Sequence, residues 1–259
     1  MQTRINGPVA VIGDVHGQAD KLLAVLDGLR QLPDYENRWI VFIGDFVDRG
    51  PDPKAALDIV TDMLLQHPKT TAIAGNHELA MSASLGLVPV PDWSDWSDRW
   101  TDHYQAETTF ESYDARFGEL DELKSRLPES HERFLADLPW CVEHPEYFFV
   151  HAGLDPNASF DMQLRILRAR DFSLTRPQWL CSKTLPEADV PHDCPATVIS
   201  GHVYVPSVQF RSRKLLIDTT GGTQGELSCV LLPEMQVISS GASQPGLVDA
   251  LDRSWWKFW

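Results

Sequence analysis

Short apolar runs recur along the chain, and each stops abruptly at glycine and charge. Val9 to Ile12 ends in Gly13-Asp14-Val15-His16-Gly17, Trp39 to Ile43 in Gly44-Asp45-Phe46-Val47-Asp48-Arg49-Gly50-Pro51, and Thr70 to Ala74 in Gly75-Asn76-His77-Glu78. Runs this short and this rich in β-branched and aromatic residues predict strands buried on both faces. Helical stripes follow: Leu22, Leu23, Leu26 and Leu29 after the first run, and Leu57, Val60 and Leu64 after the second. Before that second stripe, Asp52 is placed to cap a helix N-terminus and Pro53 to fill its first position. Asp14, Asp45 and Asn76 are each 31 residues apart. That interval suits a β-α-β repeat, so three strand ends are expected side by side on one sheet edge, where open α/β sheets place their ligands.

The pattern changes from Pro91 to Leu138. Trp93, Trp96 and Trp100 alternate with Asp92, Asp95, Asp98 and Asp102, and Leu120, Leu123, Leu127, Phe134 and Leu135 then mark helices. A Trp-rich helical insertion over about 91–138 is expected to cover the sheet edge, its tryptophans packed as core or, alternatively, reaching substrate as a lid. Strand character returns at Tyr147 to Val150, ending in His151-Ala152-Gly153, and at Thr197 to Ser200, ending in Gly201-His202. Val208 to Ile217 alternates like exposed sheet, and Glu226 to Leu232 with Gln236 to Ser239 predict an antiparallel pair. No linker-like tract divides the 259 residues, so a single domain over 1–259 is expected. The aromatic tail, Ser254 to Trp259, is expected to fold back on the surface, with docking on a partner or mobility as the alternatives.

The formal net charge of −15 leaves no basic face for a polyanionic nucleic acid, so no nucleic-acid partner is expected. It does not exclude a phosphorylated substrate, because divalent cations at a carboxylate cluster reverse the local sign. Met1 to Pro8 lacks the basic start and apolar core of a signal peptide, and no run reaches membrane-spanning length; no membrane association and a cytoplasmic location are expected. Cys141, Cys181, Cys194 and Cys229 are far apart, without a Cys-x-x-Cys pair, and are expected as free thiols.

The five strand ends carry Asp14, His16, Asp45, Asp48, Arg49, Asn76, His77, His151 and His202, each beside glycine after an apolar run. Gathered in one place, imidazoles, carboxylates and an amide oxygen suit divalent first-row metals rather than calcium and exclude a thiolate site. Six or so candidate ligands exceed what one catalytic ion with an open position needs, which favours two metals.

The three motifs G-D-x-H-G, G-D-x-V-D-R-G and G-N-H-E, in order and at β-α-β spacing, resemble those of the PPP family of metallophosphoesterases. The likeness is to its compact bacterial and phage-type serine/threonine phosphoprotein phosphatases. His151-Ala152-Gly153, Gly201-His202 and Ile217-Asp218-Thr219 extend the resemblance over roughly Val9 to Leu232. It implies an α/β calcineurin-like metallophosphoesterase fold, two mixed β-sheets packed as a sandwich and flanked by helices. It also implies two divalent metal ions, manganese first, with Fe, Zn, Co or Ni as alternatives. Asp14, His16 and Asp45 would hold one; Asp45, Asn76, His151 and His202 would hold the other. His77 would give a proton to the leaving oxygen, with Asp48 orienting its ring, and Arg49 would grip the phosphate. The family's second arginine, followed by an acid, is matched by Arg170-Asp171, with Arg168 the alternative register.

The activity implied is hydrolysis of phosphoserine and phosphothreonine in proteins, with phosphotyrosine as an extension, by direct attack of a metal-bridging hydroxide. The alternative is a symmetrical dinucleoside tetraphosphate hydrolase, a relative with a non-acidic residue at the position of Asp48 and an aspartate at that of Glu78. From a different class, a metal-dependent binding protein without catalysis is disfavoured by the intact Asp48, His77 and Arg49. The characteristic C-terminal segment of eukaryotic members is missing and Ala152 stands where they carry glycine, so no obligatory regulatory subunit is expected. Phosphorylated proteins or small phosphate esters are the expected partners.

Overall fold

The strand-to-helix units expected at the start of the chain form as their capping signals dictate. The Asp52 carboxylate accepts the Ala55 amide and Pro53 occupies the first turn of the helix behind it. The computed structural model describes residues 1–241 and the backbone of Val248–Asp249; the aromatic tail lies outside the described residues. In chain order the elements are β1 (Val9–Ile12), α1 (Ala19–Arg30), β2 (Trp39–Phe42), α2 (Pro53–Gln66), β3 (Thr70–Ala72), α3 (Asn76–Ser84), α4 (Trp96–His103), α5 (Glu107–Ser112), α6 (Leu120–Arg126) and α7 (Glu129–Asp137). They continue as β4 (Cys141–Glu143), β5 (Tyr147–Val150), α8 (Phe160–Ala169), α9 (Gln178–Cys181), β6 (Thr197–Ser200), β7 (Gln209–Arg211), β8 (Lys214–Leu216), β9 (Ser228–Leu232), β10 (Gln236–Ser239) and β11 (Val248–Asp249).

Two mixed sheets result. The first has the order β11-β10-β9-β1-β2-β3 and the second β4-β5-β6-β8-β7. β1, β2 and β3 are parallel neighbours, so the ends carrying Asp14, Asp45 and Asn76 do share one edge. β5 and β6 are also parallel and deliver His151 and His202 together. Alternate side chains sort by face. Val9, Val11, Val41 and Ile43 meet Val142, Phe149, Ile199 and Leu215 between the sheets. Ala10, Ile12, Ile40 and Phe42 instead turn outward to the helical core, with Phe148, Val150 and Val198 doing the same from the second sheet. Both faces of these strands are buried, which is why the sequence runs apolar without alternation.

The sheets meet at the ligand-bearing edge. A Cβ on Gly13 would stand 2.4 Å from the Ile217 carbonyl oxygen of the other sheet, so only glycine admits this approach. Among the insertion helices, α4 packs on α3, while α5 and α7 pack on α2. The tryptophans divide: Trp96 and Trp100 are buried as expected of core, whereas Trp93 is 69% exposed.

One expectation needs correction, and one strand had not been expected. Val208 to Ile217 is not one exposed alternating strand but the hairpin β7–β8, because Arg211 to Lys214 turns the chain. β8 is wholly buried, having joined β6 in the interior of its sheet. The short β4 that follows the insertion was too brief to register as a strand.

All four cysteines are free. Burial pushes the Cys141 and Cys181 thiols up to about 12 and the Cys229 thiol higher still. Thiolate is the reactive form, so titration with a disulfide reagent at pH 8 should be slow in the folded protein and should count four thiols after denaturation. Rapid labelling of several thiols in the native state would contradict this burial. Among the described residues, no helix is long and apolar enough to cross a membrane.

Candidate metal centre

Strand ends bring Asp14, His16, Asp45, Asp48, Arg49, Asn76, His77, His151 and His202 to one shared edge of the two packed sheets. The backbone there is strained. His16, Asp45, Asp48, Arg49 and His202 all have positive φ, between 44° and 69°, a region that residues with a Cβ rarely visit. Such strain costs of order 1–3 kcal/mol per residue and persists only where surrounding contacts over-determine it.

The principal contact is Glu78. Its buried carboxylate accepts the amides of Asp45 (2.8 Å), Phe46 (2.6 Å), Val47 (3.2 Å) and Gly75 (2.9 Å), fastening the loops after β2 and β3 to each other. Burial, then the Asp45 carboxylate, push Glu78 up to about 7. Gly75 permits the closeness of these loops: a Cβ there would fall 2.0 Å from Asp45 Oδ1. Across the sheets, the His202 amide donates to Asp14 Oδ2 at 2.9 Å, and a Cβ on Gly201 would overlap Asp14 Oδ1.

Three of the histidines are oriented by the ring nitrogen that points away from the centre. His16 Nδ1 lies 3.0 Å from the Val47 carbonyl oxygen, and His151 Nδ1 lies 2.9 Å from that of Ile43. A carbonyl only accepts, so both rings donate from Nδ1 and present Nε2 inward, the arrangement metal-ligating histidines require. His77 Nδ1 meets Asp48 Oδ2 at 2.7 Å. Arg49 Nη1 lies 3.2 Å from His16 Nε2; a guanidinium only donates, so that nitrogen carries a lone pair.

Inward-facing atoms form two groups that share a carboxylate: His16, Asp45 and His77, and Asp45, His151 and His202, each with ligand atoms within 4.8 Å of one another. Asn76 Oδ1 borders the second, 3.2 Å from His151 Nε2. Asp14 Oδ1 and His202 Nε2 are buried with no partner. The electrostatics are equally unresolved by protein alone. Burial, then the Asp218 carboxylate, push Asp14 well above the usual carboxylate range. For Asp45 burial acts the same way, but His151 and His77 overcome it and hold Asp45 well below that range. Burial opposes a proton on His151, yet Asp45 carries it to about 10, while burial and then His151 bring His202 down to about 3. Orphaned oxygen and nitrogen donors among buried like charges fit divalent cations, whose charge would answer all of them at once.

Sequence reasoning placed Asp218 within the family resemblance but gave it no role at the site. It follows β8, is buried, accepts from Thr220 Oγ1 and the Gly221 amide, and stands close enough to Asp14 to perturb it. An apolar run ending in Asp-Thr-Thr-Gly-Gly is the same strand-end signal as the others. Arg170 and Arg168, expected at the phosphate, are not brought to the centre. Arg170 caps α8 in a left-handed conformation and donates to the Ala136 and Leu138 carbonyls, at 2.8 and 3.2 Å. Arg168 forms a two-pronged pair with Glu143. Both guanidiniums are spent tying α8 to neighbouring backbone and sheet.

Comparison with known proteins agrees with this geometry. A model of the calcineurin-like phosphoesterases matches residues 7–220. The chain belongs to that family. The chain spans about a quarter to a half of the length of the curated relatives it matches, and the His/Asp cluster is where it would carry the family's binuclear divalent centre. The serine/threonine-protein phosphatase rdgC of Drosophila melanogaster is 28% identical over 186 residues, 68% of this chain but only 23% of rdgC. A symmetrical bis(5'-nucleosyl)-tetraphosphatase of Haemophilus ducreyi is 29% identical over 169 residues, 63% of this chain and 52% of that protein. In structure, a putative diadenosine tetraphosphatase superposes with a TM-score of 0.59 at 19% identity, covering 92% of this chain and 97% of its own. That likeness is one of fold.

Removing the Glu78 carboxylate leaves four buried amides without an acceptor. Glu78→Ala should therefore lower unfolding free energy by about 3–5 kcal/mol, the scale of a broken buried network, and should release bound metal. Denaturant titration beside metal analysis checks this; unchanged stability would remove Glu78 from its central place.

Proposed function

We propose that this metallophosphoesterase hydrolyses phosphomonoesters of serine and threonine in proteins. The observation that carries the reading is the buried pair of Asp48 and His77, 2.7 Å apart, with His77 Nε2 turned toward Asp45 Oδ2 at 3.9 Å. An alkoxide is a poor leaving group and needs a proton as the P–O bond breaks, so a built proton donor is of most use against an alcohol ester. A departing nucleoside diphosphate needs that proton far less.

In this reading Asp14, His16 and Asp45 would hold one divalent ion, and Asp45, Asn76, His151 and His202 the other. Such a pair, manganese by preference, would supply an acidified water and positive charge for the phosphoryl oxygens. Arg49, its guanidinium beside His16, forks onto the phosphate and aligns it. His77 gives its Nε2 proton to the leaving oxygen, and Asp48 steadies the ring and its charge. The second arginine of the family pattern is left unassigned, since Arg170 and Arg168 are otherwise engaged.

Symmetrical dinucleoside tetraphosphate hydrolysis is the second reading, favoured by the Haemophilus ducreyi relative. The two are separated with metal-stripped enzyme restored by Mn²⁺. Metal-dependent phosphate release from a phosphoserine peptide, suppressed by Asp48→Asn, is expected; preferential cleavage of diadenosine tetraphosphate to two ADP would give the function to the second reading. His77→Asn should retain both ions and slow turnover of the peptide by about 10²–10⁴-fold, the usual scale for acid catalysis. Loss of an ion instead would make His77 a ligand.

A further inference from the structure

The Trp-rich insertion has no place in the chemistry so far, yet it reaches the buried pair directly. Trp100 of α4 donates from Nε1 to Asp48 Oδ2 at 2.9 Å. Thr109 of α5 closes a two-way clasp on the same residue: the Asp48 amide donates to Thr109 Oγ1 at 3.0 Å, and that hydroxyl donates to Asp48 Oδ1 at 2.5 Å. Trp100, Thr109 and Asp48 are all fully buried. Next along the chain, the Arg49 amide donates to the Gln105 carbonyl at 3.0 Å, and the Tyr104 ring packs edge-on against His77 at 4.8 Å.

These contacts leave one hydrogen-bonding pattern. An indole N–H only donates. The Thr109 hydroxyl already receives an amide proton, so its own proton goes to Oδ1. Asp48 must then accept on both oxygens, and the proton between Asp48 and His77 must come from Nδ1. Only Nε2 of His77 remains to face the centre. The left-handed backbone of Asp48, at φ 67°, is also held by this clasp.

We propose that Trp100 and Thr109 are positioning residues for proton transfer: by making Asp48 an acceptor alone, the insertion holds the Nδ1 proton and the ring direction of His77, so that the proton given to the leaving oxygen comes from Nε2 of the doubly protonated ring. The insertion is neither inert core nor a lid over substrate but the support of the proton donor. This inference rests on the reading of His77 as that donor.

The test uses the full chain, restored with Mn²⁺, and a series of aryl phosphates from 2,4-dinitrophenyl phosphate, whose leaving group needs no proton, to phenyl phosphate, whose leaving group does. Thr109→Val keeps shape and Trp100→Phe keeps an aromatic ring in the core; each removes its donor. Each should lower kcat for phenyl phosphate by about 10–100-fold while changing it for the dinitrophenyl ester by no more than about twofold, within the range of acid catalysis. Thr109→Ser should restore the loss. In a His77→Asn background, Thr109→Val should add nothing on phenyl phosphate, as expected of residues acting through one group. Equal losses on both esters, or no loss, would overturn the proposal while leaving His77 as the donor. If His77→Asn itself is flat across the series, the donor reading fails and this inference falls with it. The two variants act from different helices, so failure of one to fold leaves the other decisive.

Discussion

One carboxylate holds the centre together. Glu78 takes four backbone amides from the loops after β2 and β3, and in doing so fixes where Asp45 and Asn76 stand. A serine or amide side chain would offer too few lone pairs, and water would leave the loops free to separate. A carboxyl group at that depth is expensive unless its oxygens are hydrogen-bonded, and here they are. The interaction turns two independent strand ends into a rigid bracket, onto which the second sheet delivers His151 and His202.

Rigidity at the bracket explains why so much strain is tolerated nearby. Five non-glycine residues at positive φ gather at the site, a concentration that local propensity would never produce. His16, Asp45 and His202 are candidate ligands, Arg49 is the candidate phosphate grip and Asp48 holds the His77 ring. His16 and His151 spend one nitrogen on a carbonyl so that the other is committed. The cost in local conformation is met by tertiary contacts, which is where the specificity of the arrangement resides.

This logic accounts for what could be read from the chain alone. Asp14, Asp45, Asn76, His151 and His202 were legible because a buried apolar strand followed by glycine and a polar residue announces its own end. Two-sided burial made the strands visible as uninterrupted runs. Arg170 was not legible: whether a guanidinium meets a phosphate or two carbonyls is decided by the left-handed turn at the end of α8, a tertiary outcome. Trp100 and Thr109 carried no signal either, since a buried indole donor and a packed indole look alike in sequence and their partner lies 52 and 61 residues away. Asp218 did carry the strand-end signal, hidden because β8 is short and sits within a hairpin.

The order of strands in the first sheet has a consequence for how the protein is made. β1 pairs on one side with β2, which follows soon after, but on its other side with β9, whose residues are Ser228–Leu232. During synthesis the first strand therefore waits with an open hydrogen-bonding edge until most of the chain has emerged. An apolar edge exposed that long invites pairing with the wrong strand, including one from another nascent copy. The candidate donor set likewise spans residues 14 to 202, so a chain cut before His202 does not contain all of it. A chain that has not yet reached His202 therefore lacks part of the set, however well its first strands have paired.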